Sequence, residues 1–245
     1  MKEIGKINLT IVLLSSFLIL GCSTGIIMKK SSLQIIAKIE NSLPKSMNDK
    51  YLLYFPKDYN KNKDLFPLIL FLHGAGERGD NIERVKRHGP PKIVEAGEDL
   101  PFVIVSPQCK DNLWWDSDEL FAFLLEIISK YNIDANRIYL TGLSMGGFGT
   151  WDLAIKHPDF FAAIAPVCGG GDPTKVCEIK NLPIWVFHGA KDPIVPIKRS
   201  EEMVEALKAC SGDLNFTIYP NAAHDSWTET YNNLTLYEWF LAHRK

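Results

Sequence analysis

The sequence predicts one α/β domain with a mostly parallel central sheet and helices on both faces. Its apolar runs are continuous rather than alternating, which is typical of parallel strands covered on both faces. Segments of helical periodicity separate these runs, and this order favours parallel strands joined by helical crossovers. With 245 residues, of which 46% are hydrophobic, the chain can bury a substantial core.

The first predicted strand ends at Pro56, because proline cannot donate to a sheet ladder. The last, at 214–219, alternates apolar and polar residues, which predicts a strand at an edge of the sheet. Strands are predicted at 51–55, 66–72, 101–107, 137–141, 160–167, 183–188 and 214–219.

Helices are predicted between these strands. Segment 117–131 carries apolar residues at helical spacing, and Ser117 is its candidate N-cap. A helix that starts near Phe148 should end at His157–Pro158, because proline cannot continue it. The remaining helices are predicted at 82–87, just before Gly97, at 200–210 and at 229–242.

The first 21 residues predict an export signal. Lys2 and Lys6 precede an apolar run at 11–20 that is too short to span a bilayer comfortably. The stretch Ile19-Leu20-Gly21-Cys22 resembles the lipobox of bacterial lipoproteins, which implies lipidation of Cys22 and membrane anchoring on the periplasmic or cell-surface side. An ordinary secretory signal or an uncleaved anchor is the alternative.

The predicted organisation is therefore a signal peptide at 1–21, a tether at 22–48 and the main domain at 49–245. The formal net charge is −2, and charges of both signs are mixed along the chain. Without a basic stripe, nucleic-acid binding has no support.

Four cysteines besides Cys22 allow three disulfide pairings in an oxidising compartment. Cys168 and Cys177 flank a glycine-rich loop that a disulfide between them would close. The alternative is that the thiols are free and buried, a state open also to Cys109 and Cys210. Because the spacing fits no zinc motif, no metal site is expected.

The stretch Gly142-Leu143-Ser144-Met145-Gly146 lies between a predicted buried strand and a helix. In this context G-x-S-x-G indicates a nucleophile elbow. Such a serine sits in a strained turn with its hydroxyl above the sheet, and the helix N-terminus favours negative charge that develops there. A plain strand–helix connection is the alternative.

A second glycine-rich segment, residues 73–79, follows the predicted strand at 66–72. Glycines directly after a central strand let backbone N–H groups turn toward a site at the carboxyl end of the sheet. We expect the N–H groups of Ala75 and Met145 to form an oxyanion hole, with Gly74 and Gly76 as alternatives to Ala75. A tight crossover without a ligand is the competing interpretation.

A serine nucleophile needs a base within hydrogen-bond reach and a carboxylate that orients the base. His224, in the last loop before the final helix, is the expected base, whereas His73 and His188 are expected to be structural. Asp192 is the expected acid, which makes the order Ser, Asp, His. Asp172, Asp213 and Asp225 are its competitors.

Trp114 and Trp115 lie just after a predicted strand, where they would form an aromatic wall of a substrate pocket, and Trp227 lies near His224. The alternative is that one of the adjacent pair packs into the core, which is more expected of Trp115.

From about residue 51 onward the chain resembles the α/β-hydrolase superfamily, and more narrowly secreted serine esterases of the feruloyl esterase and polyhydroxybutyrate depolymerase type. The motifs that carry this resemblance are 72–79, 106–109 with 114–115, 141–147, 188–196 and 223–227. It implies an α/β-hydrolase fold and a carboxylesterase that forms an acyl-enzyme without metal or cofactor.

The resemblance implies small-molecule or polysaccharide ester substrates, such as carbohydrate-linked, short-chain or aryl esters of the acetyl or feruloyl type. Because the catalytic domain of prolyl oligopeptidases is similar, a serine peptidase is the alternative, although the chain lacks the length for their propeller. A lipoprotein that binds glycans without turnover is a further alternative, but no triad residue is missing.

Overall fold

The computed structural model describes residues 33–40, 44–59 and 64–245. In these ranges eight strands form one sheet in the order β1-β2-β4-β3-β5-β6-β7-β8. The strands are β1 Gln34–Lys38, β2 Met47–Tyr54, β3 Phe66–Leu72, β4 Val103–Cys109, β5 Ile133–Leu143, β6 Ala163–Val167, β7 Ile184–Gly189 and β8 Leu214–Tyr219.

The pairs β1–β2 and β2–β4 are antiparallel, whereas all pairs from β4 across to β8 are parallel. The helices are α1 Gly89–Ala96, α2 Ser117–Lys130, α3 Met145–Lys156, α4 Lys198–Ala209, α5 Trp227–Asn232 and α6 Leu234–Ala242. The predicted α/β-hydrolase fold with a mostly parallel sheet is confirmed, and β8 is at the predicted edge.

The sheet separates two hydrophobic cores, one under α2, α3 and α4 and the other under α1, α5 and α6. Strand β3 shows why the sequence has continuous apolar runs: Leu68, Leu70 and Leu72 face the first core, and Ile69 and Phe71 face the second. All five side chains are fully buried. Burial of each stabilises the fold by about 1.5–3 kcal/mol relative to exposure.

The predicted tether at 22–48 differs from the structure in its described part. Gln34–Lys38 form β1, which pairs with β2, and β2 starts at Met47 rather than at residue 51. The Gln34 amide also donates to the carbonyl oxygen of Pro91 at 3.0 Å. Local sequence does not reveal β1 because backbone pairing with β2, rather than a regular apolar pattern, orders it.

The predicted signal peptide at 1–21 and Cys22 lie outside the described residues. Among the helices of the described part, none has the length and apolar character that a membrane crossing requires.

Other predicted boundaries also differ from the structure, and three of them have a clear local cause or extent. Asp116, rather than Ser117, caps α2, because its carboxylate accepts from the N–H groups of residues 118 and 119. The predicted final helix is divided at Asn233, whose side chain accepts from the N–H of Thr235 at 3.1 Å. The predicted strand at 160–167 forms only over Ala163–Val167.

The proposed Cys168–Cys177 disulfide is wrong. Cys177 is bonded to Cys210, which lies at the C-terminal end of α4. Helix α4 packs beside the 3-10 helix Val176–Ile179, which brings the two cysteines together across 33 residues of sequence. Cys109 and Cys168 are free and buried, as the alternative interpretation had it.

Candidate active site

Ser144 lies between the end of β5 and the start of α3. Its backbone has φ 52° and ψ −117°, a conformation that non-glycine residues rarely adopt. Such strain costs on the order of 1–3 kcal/mol and persists only where the surroundings enforce it. Here the Ser144 N–H donates to the Val167 carbonyl oxygen of the neighbouring strand at 3.0 Å.

The two glycines that flank Ser144 are required by close backbone contacts. A Cβ atom on Gly142 would lie 2.4 Å from the Gly146 carbonyl oxygen, and one on Gly146 would lie 1.9 Å from the Leu72 carbonyl oxygen. Real Cβ atoms do not approach so closely, and the obstructing atoms belong to the backbone. The G-x-S-x-G pattern is therefore the steric requirement of this turn.

The loops after β5, β7 and β8 bring Ser144, Asp192 and His224 together. His224 Nε2 lies 3.0 Å from Ser144 Oγ, and His224 Nδ1 lies 2.7 Å from Asp192 Oδ2. Parallel strands place their carboxyl ends at one edge of the sheet, which is why loops far apart in sequence meet there. The contacts form a continuous hydrogen-bonded chain from the serine hydroxyl to the carboxylate.

The Asp192 side chain is fully buried, and backbone donors hold it. Its Oδ1 accepts from the N–H groups of Ile194 and Val195, both at 2.9 Å. These two bonds turn Oδ2 toward His224. The His224 side chain keeps 19% of its surface exposed, so that the imidazole borders both the buried carboxylate and solvent.

The other two histidines near the site are fully buried. His73 Nε2 accepts from the Cys109 N–H at 3.0 Å, and Nδ1 lies 2.6 Å from the Gly74 carbonyl oxygen. Burial lowers the pKa of His73 to about 4, so the ring is neutral and braces the loop after β3. His188, at the end of β7, lies 3.3 Å from Asp192, a contact that the sequence does not indicate.

The loop after β3 packs against the elbow. A Cβ atom on Gly74 would lie 2.7 Å from Leu143 Cδ1, and one on Gly146 would lie 2.8 Å from the His73 carbonyl oxygen. The Glu77 carboxylate is buried beside this loop. Burial raises the pKa of this carboxyl, an effect that the Arg87 guanidinium partly offsets.

The predicted oxyanion-hole donors are the N–H groups of Ala75 and Met145. Within the described residues, neither donates a hydrogen bond. Met145 is the first residue of α3, so its N–H also benefits from the partial positive charge of the helix N-terminus. This arrangement leaves both groups available to an oxyanion, and the choice of Ala75 over Gly74 and Gly76 stays a prediction.

A cleft of about 770 Å³ opens beside Met145. Trp114 and Trp115 both line it, but they differ in burial: Trp114 is 59% exposed, whereas Trp115 is 8% exposed and donates from Nε1 to the His73 carbonyl oxygen at 3.1 Å. Trp227 does not line the cleft; its ring packs 5.1 Å from that of His224.

Phe148 and Arg199 line the cleft, and Arg78 contacts its Trp114; none of these three residues was identified from the sequence. Phe148 makes an edge contact with Trp114 at 6.1 Å, and Arg199 lies over the Phe148 ring. Arg78 lies over Trp114 and places Nη2 2.8 Å from Met145 Sδ. Phe148 is four residues after Ser144 on a helix, and this spacing is the signal that indicates a shared face.

Cys168, Asp192 and His224 have potential ligand atoms within 4.8 Å of one another, a spacing that could hold a metal ion. The groups are already engaged otherwise. The carboxylate accepts three N–H bonds, and burial raises the pKa of the Cys168 thiol to about 12. The expectation that the reaction needs neither metal nor cofactor stays a prediction.

Several known proteins are similar to this chain. The bifunctional acetylxylan esterase/xylanase of Neocallimastix patriciarum is 26% identical over 204 residues, which cover 76% of this chain and only 27% of that protein. The probable feruloyl esterase C of Aspergillus niger is 26% identical over 189 residues, which cover 74% of this chain and 69% of that protein.

Among solved structures, a thermostable esterase is 34% identical with a TM-score of 0.72, and the match covers 87% of this chain and 63% of that one. A ferulic acid esterase, 21% identical with a TM-score of 0.62, shares the fold; the match covers 85% of this chain and 99% of that one. The predicted resemblance to esterases and the hydrolase class are confirmed.

A model of the dienelactone hydrolase family matches residues 107–236, a segment that contains Ser144, Asp192 and His224. Because this match covers more than half of the residues of the chain, the chain belongs to the dienelactone hydrolase family.

Proposed function

We propose that this chain is a serine carboxylic ester hydrolase that works through an acyl-enzyme. Ser144 is the nucleophile, His224 the general base and then acid, and Asp192 the carboxylate that orients His224. The hydrogen-bonded chain from Ser144 Oγ through His224 to Asp192 Oδ2, with distances of 3.0 and 2.7 Å, carries the proposal. A serine hydroxyl is a poor nucleophile at neutral pH unless such a base accepts its proton.

In the first half of the reaction, Ser144 Oγ attacks the ester carbonyl carbon while His224 Nε2 takes the hydroxyl proton. The N–H groups of Met145 and Ala75 bind the resulting oxyanion, and Asp192 stabilises the imidazolium. Collapse of the tetrahedral intermediate breaks the bond to the alcohol oxygen, which leaves with the proton from His224.

In the second half, His224 removes a proton from water, and the hydroxyl oxygen attacks the acyl carbon on Ser144. Collapse releases the carboxylic acid and returns the proton to Ser144 Oγ. The side chains supply every proton transfer, so the proposed reaction uses no metal or organic cofactor.

The cleft supports carbohydrate-linked, short-chain or aryl esters as substrates. Its volume of about 770 Å³ is within the usual range for small-molecule sites, and its wall beside Met145 exposes the Trp114 ring. An exposed tryptophan presents an apolar face on which a sugar or a feruloyl ring can stack. The acetylxylan and feruloyl esterases named above are consistent with this choice.

A hydrolysis panel tests the proposal. Purified protein is assayed with acetylated xylan, methyl ferulate, p-nitrophenyl esters and an aminoacyl-prolyl amide, side by side with the Ser144→Ala variant. We expect ester turnover and a loss in kcat on the order of 10⁶-fold in the variant. Unchanged ester turnover in Ser144→Ala would overturn the assignment, and preference for the amide would favour a peptidase.

We further propose that the protein is an exported bacterial lipoprotein anchored through Cys22. The lipobox-like sequence that precedes this residue supports the proposal, as does the Cys177–Cys210 disulfide, because disulfides persist mainly in oxidising compartments. Labelled palmitate should enter the wild-type protein but not the Cys22→Ala variant. Equal labelling of the two proteins would contradict the anchor.

A further inference from the structure

His188 is a second histidine, besides His224, that contacts the carboxylate of the proposed triad. Its Nε2 lies 3.3 Å from Asp192 Oδ2 and 2.9 Å from the Val195 carbonyl oxygen, and its Nδ1 lies 2.7 Å from Ser200 Oγ. The side chains of His188 and Asp192 are fully buried. Two imidazoles therefore share the oxygen Oδ2.

The neighbours of His188 determine which of its nitrogens carries the proton. Both groups near Nε2, the Val195 carbonyl and the Asp192 carboxylate, are acceptors, so Nε2 must be the donor. Ser200 Oγ lies 2.7 Å from Nδ1 and 2.8 Å from the Gly169 carbonyl oxygen, and its single hydroxyl proton serves one of these two acceptors at a time. Burial lowers the pKa of His188, which favours the neutral form of the ring.

We propose that His188 is a positioning residue for ester hydrolysis: its Nε2–H, which is hydrogen-bonded to the Val195 carbonyl oxygen at 2.9 Å, also faces Asp192 Oδ2 at 3.3 Å and reduces the negative charge that this oxygen presents to His224. The inference rests on the proposed function, because it assumes that Asp192 and His224 act on Ser144. It assigns to His188 a role beyond the structural one expected from the sequence.

The physical effect follows from the charges around the shared oxygen. The titratable groups around His188 and Asp192 are His224, from the loop after β8, and the Cys168 thiol, from the end of β6; the carboxylate of Asp225, next to His224 in sequence, acts on that thiol as well. Helix α4 contributes Ser200, which is uncharged. The Asp192 carboxylate is the negative charge in direct contact with His224, and an N–H group beside Oδ2 weakens the attraction between this oxygen and protonated His224.

A residue that tunes this proton should change the pH profile of the reaction, whereas a residue that only supports the fold should not. Substitution of His188 by glutamine or by asparagine tests the contributions of its two ring nitrogens separately. In His188→Gln the amide nitrogen can reach the position of Nε2 and donate to Asp192. In His188→Asn the shorter amide can replace Nδ1 beside Ser200 but cannot reach Asp192.

The experiment measures kcat, KM and the pH dependence of kcat/KM for full-length wild type, His188→Asn and His188→Gln, with thermal unfolding as the check on folding. We expect His188→Asn to lower kcat about 10- to 100-fold, the size of one lost hydrogen bond to a charged group, with KM within about twofold. Its acid limb should move to higher pH, because an unshielded carboxylate stabilises protonated His224. His188→Gln should keep the wild-type acid limb.

An acid limb of His188→Asn that coincides with the wild type would overturn the inference, as would equal shifts in both variants. Ser144→Ala separates this failure from failure of the proposed function. If ester turnover persists in Ser144→Ala, the proposed triad itself is refuted. If Ser144→Ala is inactive but the His188 variants show no shift of the acid limb, only the proposed role of His188 is refuted.

Discussion

Replacing Asp192 with asparagine should disable the proposed base without removing any side chain. In the wild type, Oδ1 faces the N–H groups of Ile194 and Val195, so the asparagine carbonyl oxygen must occupy that position. The amide NH₂ group then faces His224 Nδ1, where the carboxylate oxygen now lies at 2.7 Å. An N–H donor at this place forces the imidazole proton onto Nε2, the atom 3.0 Å from Ser144 Oγ.

An imidazole protonated on Nε2 cannot accept the serine proton. In serine protease triads the same tautomer error costs on the order of 10⁴-fold in kcat, which corresponds to about 5 kcal/mol of transition-state stabilisation. The asparagine amide would also face the Nε2–H of His188, at 3.3 Å in the wild type, so that two donors oppose each other. We therefore expect at least this loss at pH 7.

The assay is the steady-state hydrolysis of p-nitrophenyl acetate by wild type and Asp192→Asn, with circular dichroism as the check on folding. Asp225→Asn is the matched control, because Asp225 is exposed and adjoins His224 in sequence. We expect the control to stay within about threefold of the wild type, since surface substitutions change little. Retention of more than a tenth of the wild-type kcat by folded Asp192→Asn, or an equal loss in the control, would refute the reasoning.

Three further predictions concern the elbow, the cleft and pH. Gly146→Ala should destabilise the fold by about 3 kcal/mol or more, because its Cβ would lie 1.9 Å from the Leu72 carbonyl oxygen. Gly76→Ala, whose Cβ would have no atom within 4 Å, should change the free energy of unfolding by less than about 1 kcal/mol. Similar urea midpoints for the two variants would contradict this prediction. Trp114→Ala should raise KM for methyl ferulate about two- to tenfold and leave KM for methyl acetate unchanged, because the variant lacks the exposed ring as a stacking surface. Equal effects on both esters would argue against that role. Because the pKa of His73 is about 4 in the folded protein and about 6.5 in the unfolded chain, only the unfolded chain binds this proton between these pH values. The free energy of unfolding should therefore drop by about 3 kcal/mol as the pH falls from about 6.5 to 4. His73→Gln, which retains an acceptor and cannot titrate, should lack this part of the drop in denaturant titrations at each pH.

Local sequence determines the strand order along the chain and the elbow, because both depend on short-range patterns. Continuous apolar runs such as 66–72 indicate strands with a core on each face, and the glycines around Ser144 are required by contacts within a single turn. The positions of Asp192 and His224 were predictable for a related reason, since loops at the carboxyl ends of parallel strands meet at one edge. Their catalytic roles stay predictions.

The tertiary structure alone decided the features that depend on chain segments far apart in sequence. β1 acquires its order by pairing with β2, and Cys177 finds Cys210 because α4 packs beside a 3-10 helix. His188 appeared to be a structural residue at a strand end, yet the turn after β7 brings Asp192 back to within 3.3 Å of it. A sequence states which groups are present; the distances between them, and thus the charge and proton that each one carries, arise only when the sheet assembles.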